Sequence, residues 1–238
     1  EALEQHFGLP IRVDNDMNAA ALGEKVMGAG RNISHLIYVS VETGIGAGII
    51  IDDRIYDGAA GGAGEFGHTT VEPAGAPCKC GNRGCLGVMA AESAMISRAI
   101  QMLAMGAHTK IRDYHQGSPA QISLEPLALA ARDKDSVALS IINDCLDYLA
   151  IGIANLINLF APAAIILGGS TMEALHPMGI ARVRQTVSQR VLQHGGQRSY
   201  TIVPSQLKNR VKIVGASTLV FSEFLDHVDF LTPEKVRI

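Results

Sequence analysis

The sequence lacks a strong charge of either sign and lacks an uninterrupted apolar run. Its formal net charge is −3 over 238 residues, so this segment has no electrostatic reason to bind DNA or an anionic membrane. Its most apolar stretch, residues 141–162, is broken by polar side chains, which favours a buried helix over a membrane span. The interrupting residues are Asn143, Asp144, Asp147, Asn155 and Asn158. The first residues do not show a signal-peptide pattern, and we expect no membrane insertion.

Cysteine is scarce, and three of the four cysteines fall in one short loop. Cys78, Cys80 and Cys85 lie within eight residues, whereas Cys145 belongs to the apolar stretch and is expected to be an inert core thiol. The two cysteines of a C-x-C sequence do not easily reach each other in normal disulfide geometry. Few cysteines, most of them suited to a metal, indicate a reducing compartment, so we expect a cytoplasmic protein.

The loop at residues 61–85 has the residue types of a metal site. Thiolates bind zinc well, and His68, ten residues before the first of these cysteines, supplies the nitrogen that often completes a tetrahedral site. The alternative is that the three cysteines are ordinary thiols. Free cysteines rarely cluster in a loop so rich in glycine and proline, so the sequence favours a closed zinc site of His68, Cys78, Cys80 and Cys85.

The order of the predicted elements favours an α/β fold. With 47% hydrophobic residues and 25 glycines, the chain is globular and buries a sizeable core. Strands are predicted at residues 11–13, 36–41, 47–51, 55–56, 163–167 and 200–203. Helices are predicted at residues 1–7, 19–27, 90–105, 124–132, 136–160, 178–193 and 215–224. Early strands followed by alternating helices and strands predict a mixed sheet flanked by helices.

Asp16 is a candidate general base. It stands at a polar turn before a predicted helix, where a carboxylate can accept a proton from a substrate hydroxyl. Asn15 and Asn18 are close enough in sequence to orient it. The alternative is that Asp16 only caps the helix.

Two glycine-rich turns are candidate nucleotide contacts. Residues 43–48 join two predicted strands, and their backbone N–H groups, together with the Thr43 hydroxyl, can cradle phosphate oxygens. This turn matches neither a Walker loop nor a Rossmann fingerprint, because no lysine and no helix follow directly. Gly168 and Gly169 follow a predicted buried strand, where the backbone can approach a nucleotide. For both turns, the alternative is a tight connection without a ligand.

Glu65 and His68 are candidate ligand contacts at the start of the metal loop. If one imidazole nitrogen of His68 binds zinc, the other N–H is free to donate to a ligand. Glu65 would then lie close enough to accept hydroxyl hydrogens from a polyol. The alternative is that Glu65 only supports the histidine.

Together these segments resemble the ROK family (repressors, open reading frames and kinases). The matching motifs are VDNDMNAAA at residues 13–21, TGIGAG at 43–48, GAGEFGH at 62–68, CKCGNRGC at 78–85 and ILGG at 166–169. The resemblance covers essentially the whole chain, and the cysteine signature with its upstream E-x-G-H is highly specific. It implies an α/β actin-like ATPase (ribonuclease H-like) fold with two lobes, a structural zinc ion and a sugar site between the lobes.

The resemblance also assigns a sugar-binding role to four residues. Asn15 and Asp16 would contact a hexose hydroxyl, and Asp16 would be the base that activates it. Glu65 and His68 would bind other hydroxyls, with His68 also on the zinc ion.

In a kinase of this family, the two glycine-rich turns would bind ATP. Thr43 and Gly44 would face the phosphates, and Gly168 and Gly169 would lie on the adenosine side. The γ-phosphoryl group would pass in line to the sugar oxygen, with Mg²⁺ balancing the charge.

Two departures from the kinase pattern stand out. Family kinases usually carry a sugar-binding glutamate two residues after the last zinc cysteine, and here that position is Gly87. Loss of one carboxylate–hydroxyl contact costs about 1.5–3 kcal/mol, or roughly tenfold or more in affinity. The family's N-terminal phosphate strand, D-x-G-x-T, is absent from the sequence, so we expect an upstream portion and expect this segment alone not to be a competent kinase.

The resemblance therefore favours the effector portion of a repressor of the NagC/Mlc/XylR group. It would sense a sugar, a sugar phosphate or a transport-system protein, bind DNA through an upstream winged helix-turn-helix, and assemble as a homodimer or tetramer. The alternatives are an ATP-dependent hexose or N-acetylhexosamine kinase and a binding module that uses the zinc loop as an interaction surface. Residues 1–32 would be the remnant of a largely missing small lobe, residues 33–214 the large lobe, and residues 215–238 a helix returning to the small lobe.

Overall fold

A mixed five-stranded sheet lies at the centre of the molecule. The structure is a computed structural model that describes residues 2–192 and 200–227. The strands are β1 (Leu36–Val41), β2 (Ile45–Ile51), β3 (Arg54–Ile55), β4 (Ala164–Gly168) and β5 (Thr201–Pro204). Their order across the sheet is β3-β2-β1-β4-β5, with β1, β4 and β5 parallel and with β2 and β3 antiparallel to their neighbours. The predicted mixed α/β sheet is confirmed.

Ten α-helices surround the sheet within the described ranges. They are α1 (Ala2–Phe7), α2 (Asp16–Met27), α3 (Leu86–Ala90), α4 (Glu92–Ala104), α5 (Ile111–Tyr114), α6 (Leu124–Arg132), α7 (Ser136–Phe160), α8 (Ser170–Ala174), α9 (Met178–Ser188) and α10 (Val211–His227). Short 3₁₀ turns lie at Phe66–His68, Pro119–Gln121 and Lys208–Arg210. Helix α9 ends at Ser188, five residues before the predicted end. Residue 193 and residues 228–238 of the predicted last domain lie outside the described residues.

Side chains alternate along each strand and so point to both faces of the sheet. Helices cover both faces. On β1, Ile37, Val39 and Val41 join the large core formed with α3, α4, α6, α7 and α9. Leu36 and Tyr38 point to the opposite face and pack with α2 and the start of α10. Residues from both ends of the chain therefore pack on one face of the sheet. The predicted lobe boundaries near residues 32 and 214 remain predictions.

Helix α7 is the main core helix. Its N-cap is Asp135, whose carboxylate accepts the backbone N–H of Ala138 at 2.8 Å, and it ends at Ala161 in the left-handed conformation. By length and composition alone α7 is apolar enough to cross a membrane, yet 56% of its most apolar window is buried inside the fold. Cys145 is fully buried in it. The predicted buried helix matches this packing.

Some predicted boundaries differ from the structure. Residues 11–13 form no strand: they run without a ladder partner in the described sheet, and Val13 is 81% exposed. Helix α2 begins at Asp16, three residues before the predicted start, because the polar turn itself enters the helix. The region predicted as one helix at residues 90–105 is α4, preceded by the separate short helix α3.

Candidate functional site

The four predicted metal ligands lie together. The Sγ atom of Cys78 is 3.6 Å from Nδ1 of His68, and the Sγ atoms of Cys80 and Cys85 are 3.6 Å apart. All four ligand atoms lie within 4.8 Å of one another. Tetrahedral zinc with Zn–S bonds of about 2.3 Å holds its sulfur ligands about 3.7 Å apart. The donor types and spacing of this metal cluster (His68, Cys78, Cys80 and Cys85) therefore fit a tetrahedral zinc ion.

The loop that carries the cysteines is held by its own hydrogen bonds. Isolated β-bridges pair Thr70 with Cys85 and Pro77 with Arg83. The Asn82 side chain donates to the Thr70 hydroxyl at 2.9 Å and accepts the backbone N–H of Arg83 at 2.8 Å. These contacts fold a segment with little regular structure into a defined ligand geometry.

The surroundings shift the pKa values of two thiols of the cluster in opposite directions. Burial raises the pKa of Cys85 to about 12, and the neighbouring Cys80 and Cys78 add to the rise. A hydrogen bond from the backbone N–H of Asn82, followed by one from Cys78, lowers the pKa of Cys80. A coordinated metal ion deprotonates its thiol ligands, so the charge of the ion would remove this mutual repulsion.

A pocket of about 420 Å³ opens beside the metal cluster. This metal-side pocket is lined by Thr43, Gly44, Ile45, Gly67, His68, Cys78, Lys79, Gly87, Val88 and Ser93. Because Nδ1 of His68 faces Cys78, its Nε2 is left for a ligand. Glu65 is exposed and directly precedes the 3₁₀ turn that carries His68.

The polar turn before α2 leaves the Asp16 carboxylate exposed. Asn15 is the N-cap of the helix, since its side chain accepts a backbone N–H two residues on at 2.8 Å. Asp16 is the first helical residue, and its side chain is 60% exposed, so the reading of Asp16 as the cap is wrong. Asn18 is buried and donates to Asp14 at 3.2 Å and to Asp57 at 2.8 Å, so its amide does not orient Asp16.

Asp16 forms an ion cluster with two residues that the sequence did not single out. Nζ of Lys212 on α10 is 3.1 Å from Oδ2 of Asp16 and 3.2 Å from Oε2 of Glu42. The Ser40 hydroxyl donates to the other oxygen of Glu42 at 3.1 Å. We call Asp16, Glu42 and Lys212 the carboxylate–lysine cluster. Lys212 lies 170 positions from Glu42 in the sequence, so no local sequence pattern predicts this contact.

The lysine of this cluster is held in its charged form. Partial burial acts to lower the pKa of Lys212, but hydrogen bonds and charges from Asp16 and Glu42 outweigh it, and the pKa is raised. Two carboxylates and one ammonium leave the cluster with a net charge of −1.

The glycine-rich turn follows directly after Glu42. The Glu42 backbone N–H donates to the carbonyl of Gly44 at 2.8 Å, and the Ser93 hydroxyl donates to the carbonyl of Thr43 at 3.1 Å. Farther along, a side chain on Gly48 would overlap the backbone of Met17 on α2. Close packing against α2 therefore explains the later glycine of the motif without a ligand, whereas Thr43 and Gly44 remain exposed.

The second predicted glycine turn borders a different pocket. Gly169 is the N-cap of α8, and Gly168 lines a pocket of about 340 Å³ at the carboxyl ends of β4 and β5. This strand-end pocket is lined by Leu167, Gly168, Met172, Glu173, His176, Ile180, Pro204, Ser205 and Lys208. Its mixture of apolar walls and charged groups suits an amphipathic ligand.

Residues 42–45 connect the candidate groups. Glu42 shares Lys212 with Asp16, and the next three residues line the metal-side pocket together with His68. Asp16 is thus linked to this turn through Lys212 and Glu42, and His68 is linked to it through the shared pocket lining. Gly168 lies in the separate strand-end pocket.

Comparison with known proteins gives a consistent family assignment. A family model described as "ROK family" matches residues 1–223. The xylose repressor of Bacillus spizizenii is 36% identical over 226 residues, which is 95% of this chain and 54% of that protein. The chain thus spans about half the length of the curated relatives it matches.

Solved structures give the same fold with two different activities. A ROK family glucokinase from Streptomyces griseus, solved with glucose and AMPPNP, superposes with a TM-score of 0.82 at 32% identity, covering 91% of this chain and 70% of that one. A ROK family transcriptional regulator described as a homologue of the E. coli MLC protein gives 0.77 at 31% identity, covering 90% of this chain and 52% of that one. The predicted actin-like ATPase fold is confirmed.

Proposed function

The chain belongs to the ROK family, and from that premise we propose that it is the sugar-sensing effector and oligomerisation portion of a transcriptional repressor with a structural zinc ion. Gly87 carries this proposal. It lines the metal-side pocket at the position where the family kinases usually place a sugar-binding glutamate. Without that carboxylate, the sugar has one contact fewer to hold it for phosphoryl transfer. The similarity to a xylose repressor over 95% of the chain supports the same function.

In the proposed sugar cleft, four side chains bind hydroxyl groups. The carboxylates of Asp16 and Glu65 accept hydroxyl hydrogens, the Asn15 amide can donate or accept, and Nε2–H of His68 donates. The zinc ion would be held by the metal cluster and would cross-link the loop. Since His68 also belongs to that cluster, the metal site fixes the direction in which its free nitrogen points.

In this proposal the sugar is the signal, and the response is a change in DNA binding. A winged helix-turn-helix upstream of this segment would bind DNA, and a homodimer or tetramer would set the spacing of the two recognition helices. A sugar or sugar phosphate that binds one arrangement of the oligomer better than the other would shift its DNA affinity. We place the protein in the cytoplasm, because free thiols of this kind persist under reducing conditions.

An ATP-dependent sugar kinase is the second candidate, favoured by the exposed Asp16 carboxylate beside the glycine-rich turn. In that function Asp16 would be the general base, Thr43 and Gly44 would face the phosphates with Mg²⁺, and Gly168 and Gly169 would lie near the adenosine. The likeness to a glucokinase solved with AMPPNP supports this reading.

The two functions separate in assays on the full-length protein. We expect D-xylose, D-glucose or N-acetylglucosamine to give a calorimetric binding signal and to release the protein from DNA upstream of its own gene. ADP release with each sugar should not exceed that of the Asp16→Asn variant. Strong ADP release that Asp16→Asn abolishes would instead establish the kinase.

Asp113→Asn is the matched control, because Asp113 is an exposed carboxylate on α5 outside the cleft. It should bind sugar as the unchanged protein does. Asp16→Asn should weaken binding tenfold or more, since a hydrogen bond to a charged group contributes about 1.5–3 kcal/mol.

A further inference from the structure

The glycine-rich turn carries a negative charge next to its exposed N–H groups. Glu42 immediately precedes Thr43, and its carboxylate is held in place by the Ser40 hydroxyl at 3.1 Å and by Lys212 at 3.2 Å. The Glu42 backbone is also fixed, since its carbonyl accepts the N–H of Glu92 at 3.0 Å. The Glu42 carboxylate is therefore held in a fixed position beside the turn.

The only cation in this cluster is already shared between two carboxylates. Lys212 pairs with Asp16 and Glu42 together, so its charge is more than balanced. The carboxylate–lysine cluster has a net charge of −1, so it repels a phosphate that approaches Thr43 and Gly44. Lys79, which lines the metal-side pocket with these two residues, is the cation that opposes this repulsion. A neutral sugar hydroxyl meets no such repulsion, and it can donate to Asp16 while accepting from the remaining N–H of Lys212.

From this arrangement we propose that Glu42 is a specificity-determining residue that excludes nucleotide phosphates from the glycine-rich turn, and that Lys212 is a sugar-contacting residue of the cleft. The inference deepens the proposed sugar-sensing function and rests on it for the role of Lys212. It assigns the turn to sugar recognition and predicts that the turn does not bind a triphosphate.

The test of Glu42 uses AMPPNP with Mg²⁺ as the probe and the full-length protein. Glu42→Gln keeps the shape of the side chain and removes its charge, and we expect it to bind AMPPNP at least tenfold more tightly than the unchanged protein. Glu42→Asp keeps the charge and should still exclude AMPPNP. The difference in AMPPNP affinity between Glu42→Gln and the unchanged protein should become smaller as salt is raised from about 0.02 to 0.5 M, because salt screens charges at exposed sites.

The matched control is Glu125→Gln on α6, an exposed glutamate outside the cleft, which should bind AMPPNP as the unchanged protein does. Equal AMPPNP affinities for Glu42→Gln and the unchanged protein, whether both measurable or both absent, would overturn the role of Glu42. This comparison needs no sugar, so it stands even if the sugar-sensing function fails.

The test of Lys212 uses D-xylose and D-glucose. Lys212→Met keeps the aliphatic stem and should lower sugar affinity at least tenfold. The control is Lys134→Met, at an exposed lysine that is distant in sequence from Lys212, and it should leave sugar affinity unchanged. Unchanged sugar affinity in Lys212→Met would refute its contact with the sugar. A protein that binds neither sugar in any variant would refute both this role and the proposed function.

Discussion

At the scale of single residues, Glu24 joins α2 to the distant edge of the sheet. Its carboxylate is fully buried and accepts three hydrogen bonds: from the Ser205 hydroxyl at 2.5 Å, the Leu207 N–H at 3.0 Å and the Ala29 N–H at 2.7 Å. The Ser205 hydroxyl in turn accepts the N–H of Lys208 at 2.9 Å. One side chain therefore organises both the end of α2 and the turn that borders the strand-end pocket.

Replacing Glu24 with alanine is expected to destabilise the protein by about 3–5 kcal/mol. The variant leaves buried donors without an acceptor, and each such group costs about 1–3 kcal/mol. Urea unfolding followed by circular dichroism measures the change. Glu125→Ala on the exposed face of α6 is the control and should shift stability by about 0.5 kcal/mol or less. A loss as small as that of the control would show that the three hydrogen bonds contribute little.

The metal cluster makes a prediction about two cysteines with different surroundings. Cys80→Ser should release zinc, measured by mass spectrometry of protein purified without chelator, and should weaken sugar binding through the displaced loop. Cys145→Ser, in the core of α7, should keep its zinc even if the buried hydroxyl lowers stability. If the unchanged protein, purified without chelator, contains no zinc, the zinc site is ruled out.

The sequence identified the metal cluster but missed the carboxylate–lysine cluster, and the difference is one of distance along the chain. His68 and the cysteines share one short loop, so their spacing is visible in the sequence. Glu42 and Lys212 meet only because α10 packs against α2, which itself packs on β1. The sequence signal for this cluster was a charged residue, Glu42, directly before the glycine-rich turn.

At the scale of elements, a close crossing of α2 and α10 positions the carboxylate–lysine cluster. A side chain on Gly215 would overlap the backbone of Ala19, and one on Gly23 would lie 2.8 Å from the carbonyl oxygen of Val211. The two helices therefore approach closely enough for Lys212 to reach Asp16, one turn or so from the contact. Glycines that look like weak points in a helix are here required by packing.

Gly215→Val should push α10 away from α2 and break the Lys212–Asp16 ion pair. We expect a loss of stability of about 1–3 kcal/mol from overpacking, together with weaker binding of sugar. Thermal unfolding and calorimetry measure the two effects. Ser217→Val, an exposed position on the same helix, introduces the same side chain and should change neither by much. If both variants behave alike, the crossing does not depend on Gly215.

Long helices were easier to predict from sequence than short elements. The bounds of α6 and α7 agree with the prediction, because long apolar periodicity and the Asp135 cap mark them locally. The predicted strand at residues 11–13 is wrong, since two β-branched residues around Arg12 form a strand only when a neighbouring strand offers hydrogen bonds. Sheet order depends on partners that no single segment reveals.

At the scale of the whole molecule, an ion pair between two core helices ties stability to pH. Asp147 on α7 accepts hydrogen bonds from Nε and Nη2 of Arg182 at 2.8 and 2.5 Å and from the Thr186 hydroxyl at 2.9 Å, both on α9. Partial burial acts to raise the pKa of Asp147, but the Arg182 and Thr186 contacts outweigh it, and the pKa is lowered. A lowered carboxyl pKa stabilises the fold above the unfolded value of about 3.9, and this stabilisation is lost as pH falls through the folded value.

Acid unfolding of the Asp147→Asn variant should therefore depend less on pH than that of the unchanged protein. The unfolding free energy is measured by urea titration from pH 6 to pH 3. Asp144→Asn, an exposed carboxylate on the same helix, is the control and should preserve the pH dependence of the unchanged protein. Parallel curves for Asp147→Asn and the unchanged protein would contradict the role of the Arg182 pair.

The contact between Glu42 and Lys212 also sets when the carboxylate–lysine cluster is completed during synthesis. The two residues are 170 positions apart, so at about 5–20 residues per second roughly 10–30 s of translation separate the glycine-rich turn from its lysine. A nascent chain that has made the whole sheet still exposes Asp16 and Glu42 as two unneutralised carboxylates. The Lys212 contact therefore forms only after α10 has left the ribosome and packed against α2, and a chain paused before that point lacks the contact that we propose for sugar binding.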